Sequence, residues 1–289
     1  RSVRCSGRPP LQDASVLSPD RQGERMKRAV IAQLTNKGAS VLSSDGKGER
    51  MKRAIVIGAS SGIGKELAVI LSQNGFVLGL MARRVNLLEE LRTSLPNPAF
   101  SRQADVSDAS GAMAILENLI EEMGGVDLII ISSGTGFINA DLGWAMEKET
   151  LDVNVSGFAA MANVAFRHFL RAGRGHLVGI SSIAAIRGSG VAPAYSASKA
   201  FMSNYLQGLR VRASKTGLPI VVSDIQPGFV DTAMAKAPKL FWVASPQEAA
   251  RQIYMAIRRK AKHAYVTKRW SVIGWLFKFV PEFIYAKLE

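Results

Sequence analysis

A chain of 289 residues with 47% hydrophobic side chains is long enough to bury a sizeable core, which argues against a disordered protein. Its one cysteine, Cys5, excludes an internal disulfide framework and a cysteine-based metal cluster, and His168, His176 and His263 lack ligand-like spacing, so no metal site is expected. The net charge of +14 sits at the ends, with ten Lys/Arg against five acids in residues 1–50 and nine against two in 251–289; the nearly neutral middle offers no basic stripe to a nucleic acid.

Residues 1–50 are rich in Ser, Arg, Gly and Pro and carry no sustained period. Within them Gly-Glu-Arg-Met-Lys-Arg-Ala occurs at 23–29 and returns at 48–54, a repeat too short and isolated for a solenoid. The preferred reading places the natural start at Met51, preceded by an upstream or appended extension. An organelle presequence is the rival, and the five acids count against it.

From residue 51 onward strand and helix patterns alternate. Strands are predicted at 54–58, 76–82, 100–106, 127–132, 176–182, 219–225 and 264–267. Helices are predicted at 63–74, 86–95, around 113–123, as one long helix over 146–170, and at 194–214 and 247–259. This order implies an α/β fold: a single doubly wound domain over residues 51–270, with a mostly parallel sheet of about seven strands covered by helices on both faces.

The first strand–helix turn contains Gly58, Ser60, Ser61, Gly62, Ile63 and Gly64. Glycines there let the chain turn sharply and let backbone approach a pyrophosphate at the helix N-terminus. The spacing G-x-x-x-G-x-G differs from the common dinucleotide fingerprint, and a turn needed only for helix–strand packing is the plain alternative. The second strand ends at Ala82, where an acid would bind the ribose hydroxyls of NAD, and Arg83 and Arg84 follow. A guanidinium suits a 2′-phosphate, so NADP(H) is the expected cofactor; two ordinary solvated arginines are the alternative. Asp105, beside Val106, can accept a hydrogen bond from an adenine amino group, while Asp108 is the better cap for the next helix.

Tyr195 and Lys199 stand four apart and share a helix face, so the ammonium can lie against the ring and favour the phenolate. Ser182 closes an apolar run that reads as a buried strand, and ligand sites of open α/β sheets lie at that carboxyl edge.

Together the glycine turn, Asp105-Val106, Asn154, Ser182, Tyr195-x-x-x-Lys199 and Pro227-Gly228 resemble the single-domain, NADP-preferring short-chain dehydrogenase/reductases, a Rossmann-like family, over about residues 52–270. The resemblance implies Tyr195 as general acid/base, Ser182 holding the substrate oxygen, and Lys199 lowering the Tyr195 pKa and bonding the nicotinamide ribose. It implies Asn154 anchoring a water of a proton relay, and Gly134 close to the adenosine. Pro227, Gly228, Val230 and Thr232 would line the nicotinamide. Departures are Ile57, where the family usually has Thr, and Ile131-Ser132-Ser133 in place of Asn-Asn-Ala. The implied activity is interconversion of a carbonyl and a secondary alcohol. The alternatives are an NAD-dependent alcohol or hydroxysteroid-like dehydrogenase and a non-catalytic nucleotide-binding regulator or scaffold. Family members are commonly homodimers or homotetramers.

The segment 231–242, with Met234, Leu240, Phe241 and Trp242, is expected to cover the substrate and to favour an apolar one. Residues 271–289 form an apolar and basic extension, too broken by Lys278 and Pro281 to span a bilayer. Packing on the domain is the preferred reading, with interfacial membrane contact next. A cytoplasmic location, peripheral to a membrane in the second case, is expected.

Overall fold

The computed structural model describes residues 51–232, 242–267, 269–277 and 279–288; the expectations for residues 1–50 and for Met234, Leu240 and Phe241 lie outside them. Seven strands form one parallel sheet in the order β3-β2-β1-β4-β5-β6-β7. They are β1 Arg53–Ile57, β2 Val77–Ala82, β3 Ala99–Gln103, β4 Leu128–Ile131, β5 Gly175–Ile180, β6 Ile220–Pro227 and β7 His263–Val266. The strand order reverses between β1 and β4, which pair directly from Ala54↔Leu128 to Ile57↔Ile131. The two chain ends of that junction diverge to opposite sides and open a crevice at the carboxyl edge, where ligands of such sheets bind.

The helices between the strands are α1 Gly62–Gln73, α2 Val85–Ser94, α3 Ala109–Glu122, α4 Trp144–Leu151, α5 Phe158–Ala172, α6 Pro193–Thr216 and α7 Pro246–Arg258. Because strand side chains alternate in direction, each buried strand feeds two cores. Ala54 and Val56 of β1 face the layer of Leu67 and Leu71 from α1, Leu88 and Leu91 from α2, and Ile253 and Ile257 from α7. On the other face Phe158 of α5 and Leu206 of α6 close over Gly179; a Cβ there would lie 2.6 Å from Leu206 Cδ1 and 3.0 Å from Phe158 Cζ. Local chemistry sets the helix ends. Asp108 accepts from Gly111 N–H at 3.1 Å and Ser245 from Glu248 N–H at 3.1 Å. At the far ends, Gly173 and Gly217 take left-handed φ of 71° and 69°.

Four expectations fail locally. The single helix over 146–170 is interrupted by a widened, π-type turn at Asp152–Gly157. Asn154 inside it turns its amide onto the backbone of Thr135, and Gly157 passes Val106 so closely that a Cβ would lie 2.4 Å from the Val106 carbonyl oxygen. An added residue in a helical turn re-aims a side chain, and here that side chain is Asn154. The strand predicted at 100–106 stops at Gln103, so Asp105 and Val106 belong to the turn beyond it. Likewise β5 ends at Ile180, two residues before Ser182, and β6 runs on to Pro227.

Beyond β7 come α8, Trp270–Phe277, and α9, Glu282–Leu288. The inner side of α8 rests on the loop after β5: a Cβ on Gly274 would lie 2.9 Å from Ile186 Cδ1 and 3.0 Å from Ile183 Cδ1. Arg187 donates through Nε to the Phe277 carbonyl at 2.8 Å and through Nη2 to that of Val280, and its guanidinium lies 5.7 Å from the centre of the Tyr285 ring. Val272, Trp275, Leu276, Phe279 and Phe283 are exposed on the outer side. No described helix is long and apolar enough to cross a membrane.

Candidate active site

The turn after β1 is built from glycine by necessity. Gly58 has φ of +88° and lies so near β4 that a Cβ would meet Ser133 N at 2.5 Å. A Cβ on Gly64 would meet the Gly58 carbonyl oxygen at 2.2 Å. Backbone alone fits there, leaving the α1 N-terminus open to the crevice with Ser61 as an extended cap residue that makes no side-chain cap bond. Thr232 reaches over the same turn, its Cγ2 3.2 Å from where a Gly62 Cβ would stand.

Of the two arginines after β2, Arg84 is the one bonded to this turn: its Nη2 donates to Ser60 Oγ at 2.9 Å and to Ser61 Oγ at 2.6 Å. Arg83 instead turns its carbonyl to Gln103 Nε2 at 3.0 Å. Asp105 accepts from the N–H of Ser107 at 3.0 Å and from its hydroxyl at 2.8 Å. Partial burial pushes its carboxyl upward, but these bonds and the Arg83 charge outweigh it and hold the pKa below the ordinary value. Val106 is buried beneath Gly157, and the Ser133 hydroxyl is buried with no hydrogen-bond partner among the described residues.

Deeper in the crevice, α6 delivers Tyr195 and Lys199 to the carboxyl edge. Pro193 starts that helix, and its missing N–H costs nothing in the first turn. Ser182 follows β5 in extended conformation, 8% exposed, and its oxygen accepts from Ala184 N–H at 3.1 Å. The Ser182 hydroxyl and the Tyr195 phenol are hydrogen-bonded. Gly136 lies against the ring, where a Cβ would meet Tyr195 Cδ2 at 2.3 Å. Lys199, 4% exposed, puts Nζ 5.7 Å from the Tyr195 ring centre and 3.2 Å from the Ile180 carbonyl, to which it donates. A Cβ on Gly134 would lie 3.3 Å from both Lys199 Nζ and Asn154 Oδ1, so this bare backbone is the point where the two side chains converge. Asn154, fully buried, also accepts from Thr135 N–H at 2.9 Å and donates to Ser198 Oγ at 3.0 Å.

The electrostatics correct one sequence expectation. Tyr195 was expected below its ordinary pKa because of Lys199, but burial raises it, with the Ser182 bond only partly opposing. The cause is burial of the phenol; the Lys199 ammonium for its part donates to the Ile180 carbonyl. Burial brings Lys199 itself down to about 8, against the opposing charge of Asp224. Near neutrality the site therefore holds a protonated phenol beside a protonated amine.

Pro227 ends β6, and Gly228 donates to the Val266 carbonyl at 2.6 Å; the Trp270 indole fills the space a Gly228 side chain would need. Val230 is buried beside its bridge to Ala244. Sequence reasoning missed Gly136, Thr135 and Ser198, which hold Tyr195 and Asn154 in place. A second glycine two residues after Gly134 was the available signal.

A parallel sheet with a glycine turn at its switch point and Ser182, Tyr195 and Lys199 gathered at its carboxyl edge defines a protein of the doubly wound α/β class. The family model described as short chain dehydrogenase matches residues 52–240. An uncharacterised oxidoreductase of Myxococcus xanthus is 37% identical over 184 residues, 62% of this chain and 72% of the relative. One from Mycobacterium tuberculosis is 32% identical over 222 residues, 73% of this chain and 86% of the relative. Among solved structures, an actinorhodin polyketide ketoreductase variant with NADPH is 25% identical at a TM-score of 0.66, covering 75% of this chain and 95% of that one. The chain belongs to the short-chain dehydrogenase family and is an oxidoreductase of that family.

Proposed function

We propose that this protein is an NADP(H)-dependent reductase that interconverts a carbonyl and a secondary alcohol on an apolar substrate. The residues fit a dinucleotide: Gly58 and Gly64 let the turn pack backbone on backbone at the start of α1, and the Ser133 hydroxyl beside it is buried and lacks a protein partner among the described residues. Ser60, Ser61, Ile63 and Arg84 would hold its phosphates, Asp105, Val106 and Gly134 its adenosine, and Lys199, Pro227, Gly228, Val230 and Thr232 its nicotinamide end. Arg84 at the lip, with Ala82 where an acid would favour NAD, supports the phosphorylated form.

When bound, the dinucleotide supplies the hydride. The chain supplies the rest. The Ser182 hydroxyl donates to the substrate oxygen and fixes the carbonyl, and Tyr195 protonates that oxygen during reduction. Burial holds the phenol above its ordinary pKa, so Tyr195 carries the proton to be delivered at neutral pH but is the weaker acid for it. In the reverse direction Tyr195 is the base, and there the Lys199 charge lowers the cost of forming phenolate. Asn154 keeps the loop at Gly134 and Thr135 against α6. The observation that carries this reading is the hydrogen-bonded Ser182–Tyr195 pair with Lys199 Nζ 5.7 Å from the same ring.

Exposed Trp242, set edge-on to Trp270 at 6.1 Å, supports an apolar substrate. We read residues 51–270 as the catalytic domain and α8–α9 as an extension packed on it. Assembly into homo-oligomers and lipid contact through its exposed aromatic side are proposals that light scattering and co-sedimentation with anionic vesicles read separately. The test of the central reading is NADPH fluorescence titration followed by a panel of apolar carbonyls, for the natural chain and Tyr195→Phe. Both proteins should bind NADPH and only the natural one should consume it. Turnover by Tyr195→Phe would overturn the mechanism, and binding without any turnover would point to a nucleotide-binding scaffold.

A further inference from the structure

Asp224 is a carboxylate inside the sheet, 2% exposed on β6, with Gly179 of β5 and His263 of β7 as its ladder neighbours. It lies on the face covered by α6, since Ile225 points to the opposite core. A buried carboxylate in the middle of a sheet is costly, and an apolar residue there would be the stabilising choice. Its bonds are to neutral donors. Ser181 Oγ donates to Oδ1, and Gln226 Nε2 donates to Oδ2 at 3.1 Å.

Those donors close a ring. Gln226 Nε2 also donates to Ser203 Oγ at 2.9 Å, and Ser203 Oγ reaches Ser181 Oγ at 3.3 Å. The ring members sit where they matter for the reaction. Ser181 immediately precedes Ser182. Ser203 lies one helical turn beyond Lys199 on the same side of α6. Asp224 thus ties the strand end that presents the hydroxyl to the helix that presents the phenol and the amine. The charged or titratable groups that face it are Lys199 and Arg210 from α6 and Tyr265 from β7. Of these, Lys199 is the most buried, at 4% exposure, and Arg210 is drawn outward, its Nη1 bonded to the Lys262 carbonyl at 3.1 Å.

We propose that Asp224 is a positioning residue of this site: it clamps Ser181, and with it Ser182, to α6 through Gln226 and Ser203, and it places a carboxylate on the sheet face over which α6 buries Lys199. The proposal rests on the reductase reading above. Without Asp224, burial acts on Lys199 unopposed and the amine loses its proton at a lower pH. A neutral Lys199 can no longer favour phenolate, so turnover fails first on the alkaline side.

Asp224→Asn separates charge from shape. The amide keeps the volume and can still accept from Ser181. Its new N–H₂ takes the place of Oδ2 and faces Gln226 Nε2, so the Gln226 amide has to turn and present Oε1, a buried acceptor with no partner among the described residues. The experiment follows the Lys199 midpoint by NMR of the full chain labelled with ¹³C-lysine, the resonance assigned by its loss in Lys199→Arg. In the natural chain the midpoint is expected near 8. In Asp224→Asn it should fall by about one pH unit, and the alkaline limb of NADPH-dependent carbonyl reduction should move down with it. The affinity for NADPH, read at pH 6 where Lys199 carries its proton in both proteins, should change less than about twofold. Ser203→Ala, which cuts the ring and leaves the charge, should keep the midpoint near 8. Asp224→Ser provides the same charge deletion if the amide variant does not fold. A midpoint that stays near 8 in a folded, uncharged variant overturns the proposal alone. Turnover by Tyr195→Phe would instead remove the reading beneath it.

Discussion

Arg84→Gln isolates the interaction on which the proposed preference for NADP(H) rests. The guanidinium is exposed, and its own hydrogen bonds are to the Ser60 and Ser61 hydroxyls, 2.9 and 2.6 Å away, at the mouth of the glycine turn. Both hydroxyls remain solvated when it is removed, so folding stability should change by less than about 0.5 kcal/mol. A charge-assisted bond to a phosphate is worth about 1.5–3 kcal/mol when sheltered. At this exposed lip solvent screening reduces it to about 1–2 kcal/mol, or roughly a 5–30-fold rise in Kd. NADH carries no 2′-phosphate, so its Kd should change less than about twofold. Nucleotide fluorescence titration of both proteins at low ionic strength measures the two constants, and added salt should shrink the NADPH effect. Equal losses for NADPH and NADH, or none for NADPH, would refute the assignment. The paired variant Arg83→Gln should do less, because Arg83 makes no bond to the turn.

Gly64→Ala drives a Cβ to 2.2 Å from the Gly58 carbonyl oxygen, a backbone atom that cannot move aside; NADPH binding should fall below detection while far-ultraviolet circular dichroism still reports a folded sheet. Phe158→Ala opens the core between α5 and Gly179, where the ring also meets Tyr205 edge-on at 6.4 Å, and should cost about 3–5 kcal/mol in urea unfolding. His176 is held down to about 4 by burial and the nearby Lys260 charge, with its ring bonded to Ser223 Oγ at 2.8 Å. The unfolded chain therefore binds the extra proton first, and stability should fall by about 1.4 kcal/mol per pH unit between the ordinary histidine value and that lower one. His168, also lowered by burial, adds a slope of the same sign; His176→Gln should flatten the curve, and an unchanged acid limb would count against buried neutral His176.

Much of the fold was legible before any coordinates. The alternation of short β-branched runs with longer amphipathic stretches implied the doubly wound sheet, because a strand buried on both faces must be apolar throughout and its crossover helix must show one apolar side. The site was legible where its partners are close in sequence: the glycine turn is a local backbone requirement, and Tyr195 with Lys199 is one helical turn. Asp108 was correctly preferred as a helix cap for the same reason.

What spacing could not reach was whatever depends on which strand lies beside which. The choice of Arg84 over Arg83 at the glycine turn needs the β1–β2 register, and the break at Asp152–Gly157 exists because Asn154 must turn to Thr135 on a distant loop. Ser182 and Tyr195 meet only because β5 ends and α6 begins at one edge of the sheet. The height of the Tyr195 pKa follows from burial against Gly136 and Ser182, which no linear pattern encodes. Asp224 reads in sequence as an acid late in a strand; only the pairing of β5 with β6 places it behind Ser181 and beside Lys199. Sequence determines local backbone conformation and which faces are apolar, whereas burial and cross-strand distance are properties of the folded whole. For this protein the proposed reacting groups were therefore visible in the chain, and their protonation and support were decided by the tertiary structure.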